Sequence, residues 1–172
     1  RFRNVTGVQT CALPISRVIA TVGSAAKGAL ARSAGAHEVI DFRSDDVGTH
    51  VQNMTNGRGA DRILEPQFAK NAALFPKLLA KGGSIIVYGA GGAEGNISAS
   101  WGIQNHPTIK FIFMYEFEAA DYARAVSDFA AMQSQGKLKH LPVKEFPLEQ
   151  IAAVHEAVEI GNSGQRMIVK ID

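Results

Sequence analysis

One cysteine, one tryptophan and six prolines in 172 residues leave several protein classes out. A lone Cys11 closes no internal disulfide and cannot build a cysteine-rich zinc site, so neither a disulfide scaffold nor a zinc ribbon is expected. The five histidines, His37, His50, His106, His140 and His155, stand at no metal-ligand spacing. No run approaches the roughly eighteen consecutive apolar residues that a membrane span needs. The N-terminus also lacks the order of a signal peptide, so the expectation is a cytoplasmic protein without a membrane partner. Charge of one sign is scarce too. Eighteen basic residues stand against 16 acidic ones, a net charge of +2. They are mixed along the chain rather than gathered in a stripe, which argues against nucleic acid as a partner. With 46% apolar and 20% charged residues, what is present is the composition of a globular domain with a core.

Residues 5–15, VTGVQTCALPI, fit no element of the regular pattern that begins at Arg17: they keep no period of two or of 3.6, and a proline stands near their end. Over its whole length this segment resembles one reading frame of a widely used sequencing-library adapter. Residues 1–16 are therefore expected to be foreign to the fold, and Cys11 to have no catalytic part.

From Arg17 onward, apolar runs rich in Val, Ile and Phe alternate with segments of helical period. The runs are Val18 to Val22, Glu38 to Phe42, Asp61 to Leu64, Ser84 to Tyr88, Ile109 to Met114 and Met167 to Ile171. Most are apolar on consecutive residues, the pattern of strands covered on both faces, which predicts a parallel sheet. Ala25 to Ser33, Asp45 to Thr55 and Phe68 to Ala80 are long enough for crossover helices. Further helices are expected from about Ala119 and after Pro147, the last stopping at Gly161. Ser24 is the expected cap of the first helix, and Gly35, Gly57, Gly82 and Gly136 the left-handed residues that close others. The fold class is thus α/β, a Rossmann-type doubly wound parallel sheet, read as one continuous domain.

In such a sheet the ligand lies beyond the carboxyl ends of the strands, and the residue ending the second strand meets the adenosine ribose. An NAD site places Asp or Glu there. Here the strand ends in Thr21, Val22, Gly23 and Ser24, with Lys27 one turn on and no acid nearby. A hydroxyl, helix amides and a lysine favour a 2′-phosphate, so the expected cofactor is NADP(H). Lys27 also reads as an ordinary solvated helix lysine. Phe42 and Arg43 are placed to flank an adenine ring, although Phe42 serves equally as a core residue. After the fourth run, Gly89, Ala90, Gly91 and Gly92 strip the backbone of side chains where a cofactor would approach. The dinucleotide fingerprint itself is absent.

Taken in order, the segments VIATVGSAAK, SAGAHEVIDFRSDD, RGADRILE, LLAKGGSIIVYGAGG and FPLEQIAAVHEAVEIGNSGQRMIVKID resemble the zeta-crystallin-like quinone oxidoreductases of the medium-chain dehydrogenase/reductase superfamily. The resemblance covers residues 17 to 172. It implies a zinc-independent enzyme passing hydride from NADPH to a quinone or another α,β-unsaturated carbonyl. By motif it assigns Gly23, Ser24 and Lys27 to the 2′-phosphate and Phe42 to the adenine. It runs Gly89, Ala90 and Gly91 along the cofactor, with the backbone of Phe113, Met114 and Tyr115 near the carboxamide. Arg166 stands where the family often has a basic residue, and reads equally as an exposed strand arginine. No catalytic side chain is assigned: His155 is expected to be structural, and Glu65 to shape the cleft. A homodimer is implied through the edge strand at Ile109 to Met114.

The family's first strand, its glycine-rich loop and its substrate domain would precede Arg17. The expectation is therefore a C-terminal fragment: an artefactual segment at 1–16 and, at 17–172, a partial NADP-binding Rossmann domain with a C-terminal helix and strand. Its central strand would be missing, and the fragment alone inactive and poorly soluble. Two other readings remain open. One is a fragment of a zinc-type alcohol dehydrogenase, which would need ligands upstream and usually an acid near Gly23. The other is a non-catalytic nucleotide-binding protein or a truncated inactive product.

Overall fold

The computed structural model describes residues 2–4, 17–160 and 164–171. Cys11, the segment 5–15 and Gly161 lie outside them. The chain divides into two compact units, Arg1–Leu138 and Lys139–Asp172, where the sequence pattern reads as one domain.

The first unit is built on a six-stranded sheet of β1 (Phe2–Asn4), β2 (Arg17–Val22), β3 (Glu38–Asp41), β4 (Ala60–Glu65), β5 (Leu79–Val87) and β6 (Thr108–Phe111). Their spatial order is β3-β2-β1-β4-β5-β6 and every pairing is parallel. This is the doubly wound arrangement, with the order reversing at the centre. The central position, expected to be empty, is occupied: Phe2–Asn4 pairs with Arg17 to Ile19 on one side and meets Arg62 through Arg3 on the other. Backbone pairing needs an extended segment that offers its N–H and C=O groups, and these three residues supply one.

Both faces of the sheet carry apolar residues because neighbouring side chains alternate across it. Ile19, Ile40, Ile63 and Ile85 form one core face with Val51, Phe75 and Leu78. Val18 and Ala20 form the other with Ala36, Ala31 and Val39. Helix α1 (Ala25–Ser33) has the expected bounds and α2 (Val47–Met54) lies within the expected segment. Ser24 caps α1, its Oγ accepting from the Lys27 amide, and Gly35, Gly57 and Gly136 take positive φ.

Three expectations are corrected and one element is added. Phe68 to Ala80 is not one helix but α3 (Phe68–Asn71), a 3-10 turn at Ala72–Leu74 and α4 (Phe75–Leu78). Pro76 lacks the N–H that a continuous helix would use and sits instead in the first turn of the last piece. Gly82, φ +71°, therefore closes no helix and lies inside β5. The run Ile109 to Met114 leaves the sheet after Phe111, where a 3-10 turn at Met114–Glu116 follows. Finally, α5 (Ala99–Asn105), capped by Ser98, was not visible in the glycine-rich stretch before it. Beyond the sheet runs α6 (Ala119–Ser134), which has no buried residue and is tied to the preceding turn by the Tyr122 hydroxyl donating to the Met114 carbonyl.

The second unit is a small βαβ arrangement. Strands β7 (Val143–Pro147) and β8 (Arg166–Lys170) pair in parallel, and α7 (Ile151–Ile160) packs on both, burying Val154. The β7 partner, rich in charge and ending in Pro147, gives no strand signal of its own and was missed. Among the described residues no helix is long and apolar enough to cross a membrane.

Candidate functional site

Parallel strands bring their carboxyl ends to one rim, so the loops after β2, β3, β4, β5 and β6 are neighbours there by topology alone. On the β2 side, Val22 is in register with Asp41, and the Phe42 amide donates to the Val22 carbonyl at 3.0 Å. That pairing lays Phe42 and Arg43 over the turn at Gly23. A Cβ on Gly23 would come within 2.9 Å of Phe42 Cζ and 3.3 Å of Arg43 Nε. Phe42 is 55% exposed, so it roofs the turn rather than closing the core. Asp41, the acid on the adjoining strand end, turns its carboxyl to its own loop and accepts from the Arg43 amide at 3.0 Å.

Ser24 is extended, φ −167° and ψ 157°, and its Oγ accepts from the Lys27 amide at 3.3 Å. The hydroxyl keeps its own hydrogen as a donor. No acidic residue occurs between Arg17 and His37. Gly23, Ser24 and exposed Lys27 thus lie within one turn of each other at the end of β2, with Phe42 and Arg43 packed over Gly23.

On the β5 side the rim is a glycine loop held by the segment after β4. Phe68 and Ala69 donate their amides to the carbonyls of Gly89 and Ala90 at 3.2 and 2.8 Å, and Tyr88 donates to the Glu65 carbonyl at 3.0 Å. The approach is so close that a Cβ on Gly89 would collide with the Pro66 carbonyl oxygen. Gly91, φ +67°, sits against Gln67, 2.8 Å from its Cα to the position of an added Cβ. Gly89, Ala90, Phe68, Phe111 and Phe113 line an open cavity of about 600 Å³, a size that suits part of a small-molecule cofactor. Phe68 packs edge-on against Phe111, ring centroids 5.1 Å apart, which fixes the apolar wall.

The structure therefore gathers Gly89, Ala90, Gly91 and Phe113 on one side of the rim, and Gly23, Ser24, Lys27 and Phe42 on the other. Tyr115 stacks edge-on with Phe113 at 5.3 Å and is 79% exposed; Met114 stands beside it in the 3-10 turn. Neither lines the cavity. Arg166 belongs to the second unit, exposed at the start of β8. His155 is exposed on α7. Two residues escaped the sequence reading: Gln67, against which Gly91 packs, and Asn71, which donates to Glu65 beneath the loop. An acid at a strand end followed by proline and a polar residue was the available signal, since such side chains bond to backbone amides two residues on.

Glycine is required at positions 23, 89 and 91 by the close approach of Phe42, Pro66 and Gln67, and the hydroxyl, amide and cationic groups of the β2 turn are of the kind that suits a phosphate. Among the described residues no three His, Cys, Asp or Glu side chains converge as a metal would require.

A family model described as zinc-binding dehydrogenase matches residues 7–131. The quinone oxidoreductase of Lama guanicoe is 25% identical over 155 residues, 87% of this chain and 47% of that protein. An NAD-dependent alcohol dehydrogenase of Sulfurisphaera tokodaii is 28% identical over 130 residues, 75% of this chain and 35% of that protein. The chain spans about half the length of the quinone oxidoreductases it matches. In fold, it superposes on the Escherichia coli quinone oxidoreductase complexed with NADPH with a TM-score of 0.81 at 18% identity, covering 99% of this chain and 56% of that one.

Proposed function

The chain belongs to the zinc-binding dehydrogenase family, within the medium-chain dehydrogenase/reductase superfamily, and from that premise we propose that it is the cofactor-binding part of an NADPH-dependent reductase acting on a quinone or another α,β-unsaturated carbonyl. The observation that carries this reading is the turn after β2. Ser24 offers a hydroxyl, α1 its first amides, and Lys27 an ammonium, while Arg43 lies over Gly23. A 2′-phosphate is favoured by every one of these groups, whereas a free ribose hydroxyl would want a carboxylate to accept from it.

In this reading Phe42 stacks on the adenine, and the bare backbone of Gly89 to Gly91 runs along the dinucleotide. Phe113, with Met114 and Tyr115 following, borders the nicotinamide end. The bound nicotinamide supplies the hydride; the chain's own residues bind it, orient it and keep an apolar wall of Phe68 and Phe111 beside it. No side chain of the first unit is given a proton-transfer role, and no zinc is needed. Arg166, in the second unit, is assigned to the cofactor by the family resemblance alone. In this reading β6, which ends the sheet, is the edge on which a second copy pairs to make a homodimer. Residues 1–16 are taken as foreign to the enzyme, and the chain, which spans about half the length of its quinone oxidoreductase relatives, as its cofactor-binding part.

The test is steady-state kinetics on the enzyme completed with its upstream coding sequence. NADPH is expected to exceed NADH in kcat/KM by about tenfold or more, and Lys27→Glu to remove most of that preference, each tenfold corresponding to about 1.4 kcal/mol. Equal use of the two cofactors, unchanged by Lys27→Glu, would sink the NADPH assignment and favour an NAD-linked alcohol dehydrogenase.

A further inference from the structure

We propose that Glu65 is a positioning residue that acts through Gln67 and Asn71 to set the backbone of the Gly89 to Gly91 loop. The consequence for nucleotide binding rests on the cofactor reading above; the effect on the loop does not.

Glu65 ends β4 and is 4% exposed, one of two buried polar or charged residues among those described. A carboxyl in such a place is costly to bury unless hydrogen bonds offset its lost hydration. One of its oxygens serves two donors: Oε1 accepts from the Gln67 amide at 2.5 Å and from Asn71 Nδ2 at 3.0 Å. One partner lies two residues on and the other six, so a single atom ties the strand end to both ends of the segment 67–71. Pro66, which has no N–H to donate, lies between.

That segment's next two donors point away from it. The amides of Phe68 and Ala69 go to the carbonyls of Gly89 and Ala90. Further contacts run the same way, with Gly91 against Gln67, Gly92 against Ala69 and Gly95 against the Phe68 ring. A loop of glycine and alanine has almost no side chains with which to anchor itself, so its position is inherited from the segment beneath. The chain of cause is therefore carboxyl to Gln67 and Asn71, then Phe68 and Ala69, then the loop. Glu65 does not line the cavity, so it works at one remove from any ligand there.

Hydrogen–deuterium exchange on the whole chain, with Glu65→Ala, Glu65→Gln and Asn71→Ala, tests this. Glu65→Ala is expected to speed exchange at Phe68 and Ala69 and to loosen residues 88–95 by about tenfold or more, Asn71→Ala to do the same more weakly. Glu65→Gln keeps an acceptor oxygen and should stay within about twofold of the parent. Unchanged exchange in Glu65→Ala would overturn the proposal. So would a rise spread evenly over β2, β3 and β5 that Gln fails to rescue, because that is plain destabilisation. In the completed enzyme, Glu65→Ala should raise KM for NADPH about tenfold with a smaller effect on kcat. If the exchange pattern is as expected yet the parent enzyme binds no NADPH, the cofactor reading falls and the positioning role stands.

Discussion

A Cβ on Gly89 would run into the Pro66 carbonyl oxygen, whereas one on Gly102, within α5, would meet nothing within 4 Å. The same substitution should therefore have opposite signs at the two places. Gly89→Ala is expected to destabilise by about 1–3 kcal/mol, since backbone must move to admit the methyl group. Gly102→Ala should stabilise by about 0.5–1 kcal/mol, by helix propensity and reduced freedom of the unfolded chain. Urea midpoints of the two variants check both signs. His37 offers another single-residue case. Its Nδ1 accepts from the amide of Val18, which is fully buried, at 3.0 Å. His37→Ala should cost about 1–3 kcal/mol by leaving that amide unpaired, and His37→Asn should recover part of it if the amide is what matters. Residues whose role is local were legible from sequence: Ser24 as a cap and Gly23 beside it follow from chemistry within a few positions. The partners of Glu65 were not. The value of Gln67 and Asn71 appears only when the segment 67–71 meets the loop after β5, from which α4 and β5 separate it in the chain.

At the scale of elements, α2 shows how a helix end couples to pH. Asp46 caps it by accepting from the Thr49 amide at 2.6 Å. That bond, with smaller help from Lys77 and His50, holds its carboxyl below the ordinary carboxylate range. A depressed folded value means that the capping contribution is fully present above the unfolded-chain value and is lost as pH falls through the folded one. Asp46→Asn keeps an acceptor for the Thr49 amide but cannot titrate, so its urea midpoint should fall less than the parent's between about pH 5 and about pH 2. A parallel fall in both proteins would mean that other carboxyls dominate. Elements with strong local periodicity were read correctly, α1 at both of its ends and β2 to within one residue. Those missed depend on context. α5 follows a glycine-rich stretch and is only seven residues long, and β7, with Lys144 and Glu145 adjacent and Pro147 at its end, keeps no strand period of its own and is marked as a strand by its pairing with β8. The helical pattern over Phe68 to Ala80 misled because Pro76 breaks it and β5, nine residues long, begins within it at Leu79.

For the molecule as a whole, the described ladder is shortest at the centre of the sheet. β2 and β4 each have six residues, yet β1, which stands between them, has three. Among the described residues its pairing with β2 ends at Ile19, and its pairing with β4 is through Arg3 alone. Among the described residues, the half-sheet of β3 and β2 and the half-sheet of β4, β5 and β6 are thus joined through the short ladder of β1. The alternation of strands and helices made the order β3-β2-β1-β4-β5-β6 foreseeable, but not what occupies its middle, because a central strand is chosen by backbone geometry as much as by side chains. Replacing residues 1–16 with a Val- and Ile-rich strand as long as its neighbours, and a turn of matching length, should therefore knit the halves together. Burying even two such side chains contributes about 3 kcal/mol or more, so the unfolding midpoint should rise clearly and the chain should scatter light as a single species. The same change should tighten NADPH binding only if the new turn also supplies backbone amides to the phosphates, which separates sheet repair from cofactor capture. If the graft leaves the midpoint and the scattering of the original chain unchanged, the three-residue strand already closes the sheet and the two halves were never poorly joined.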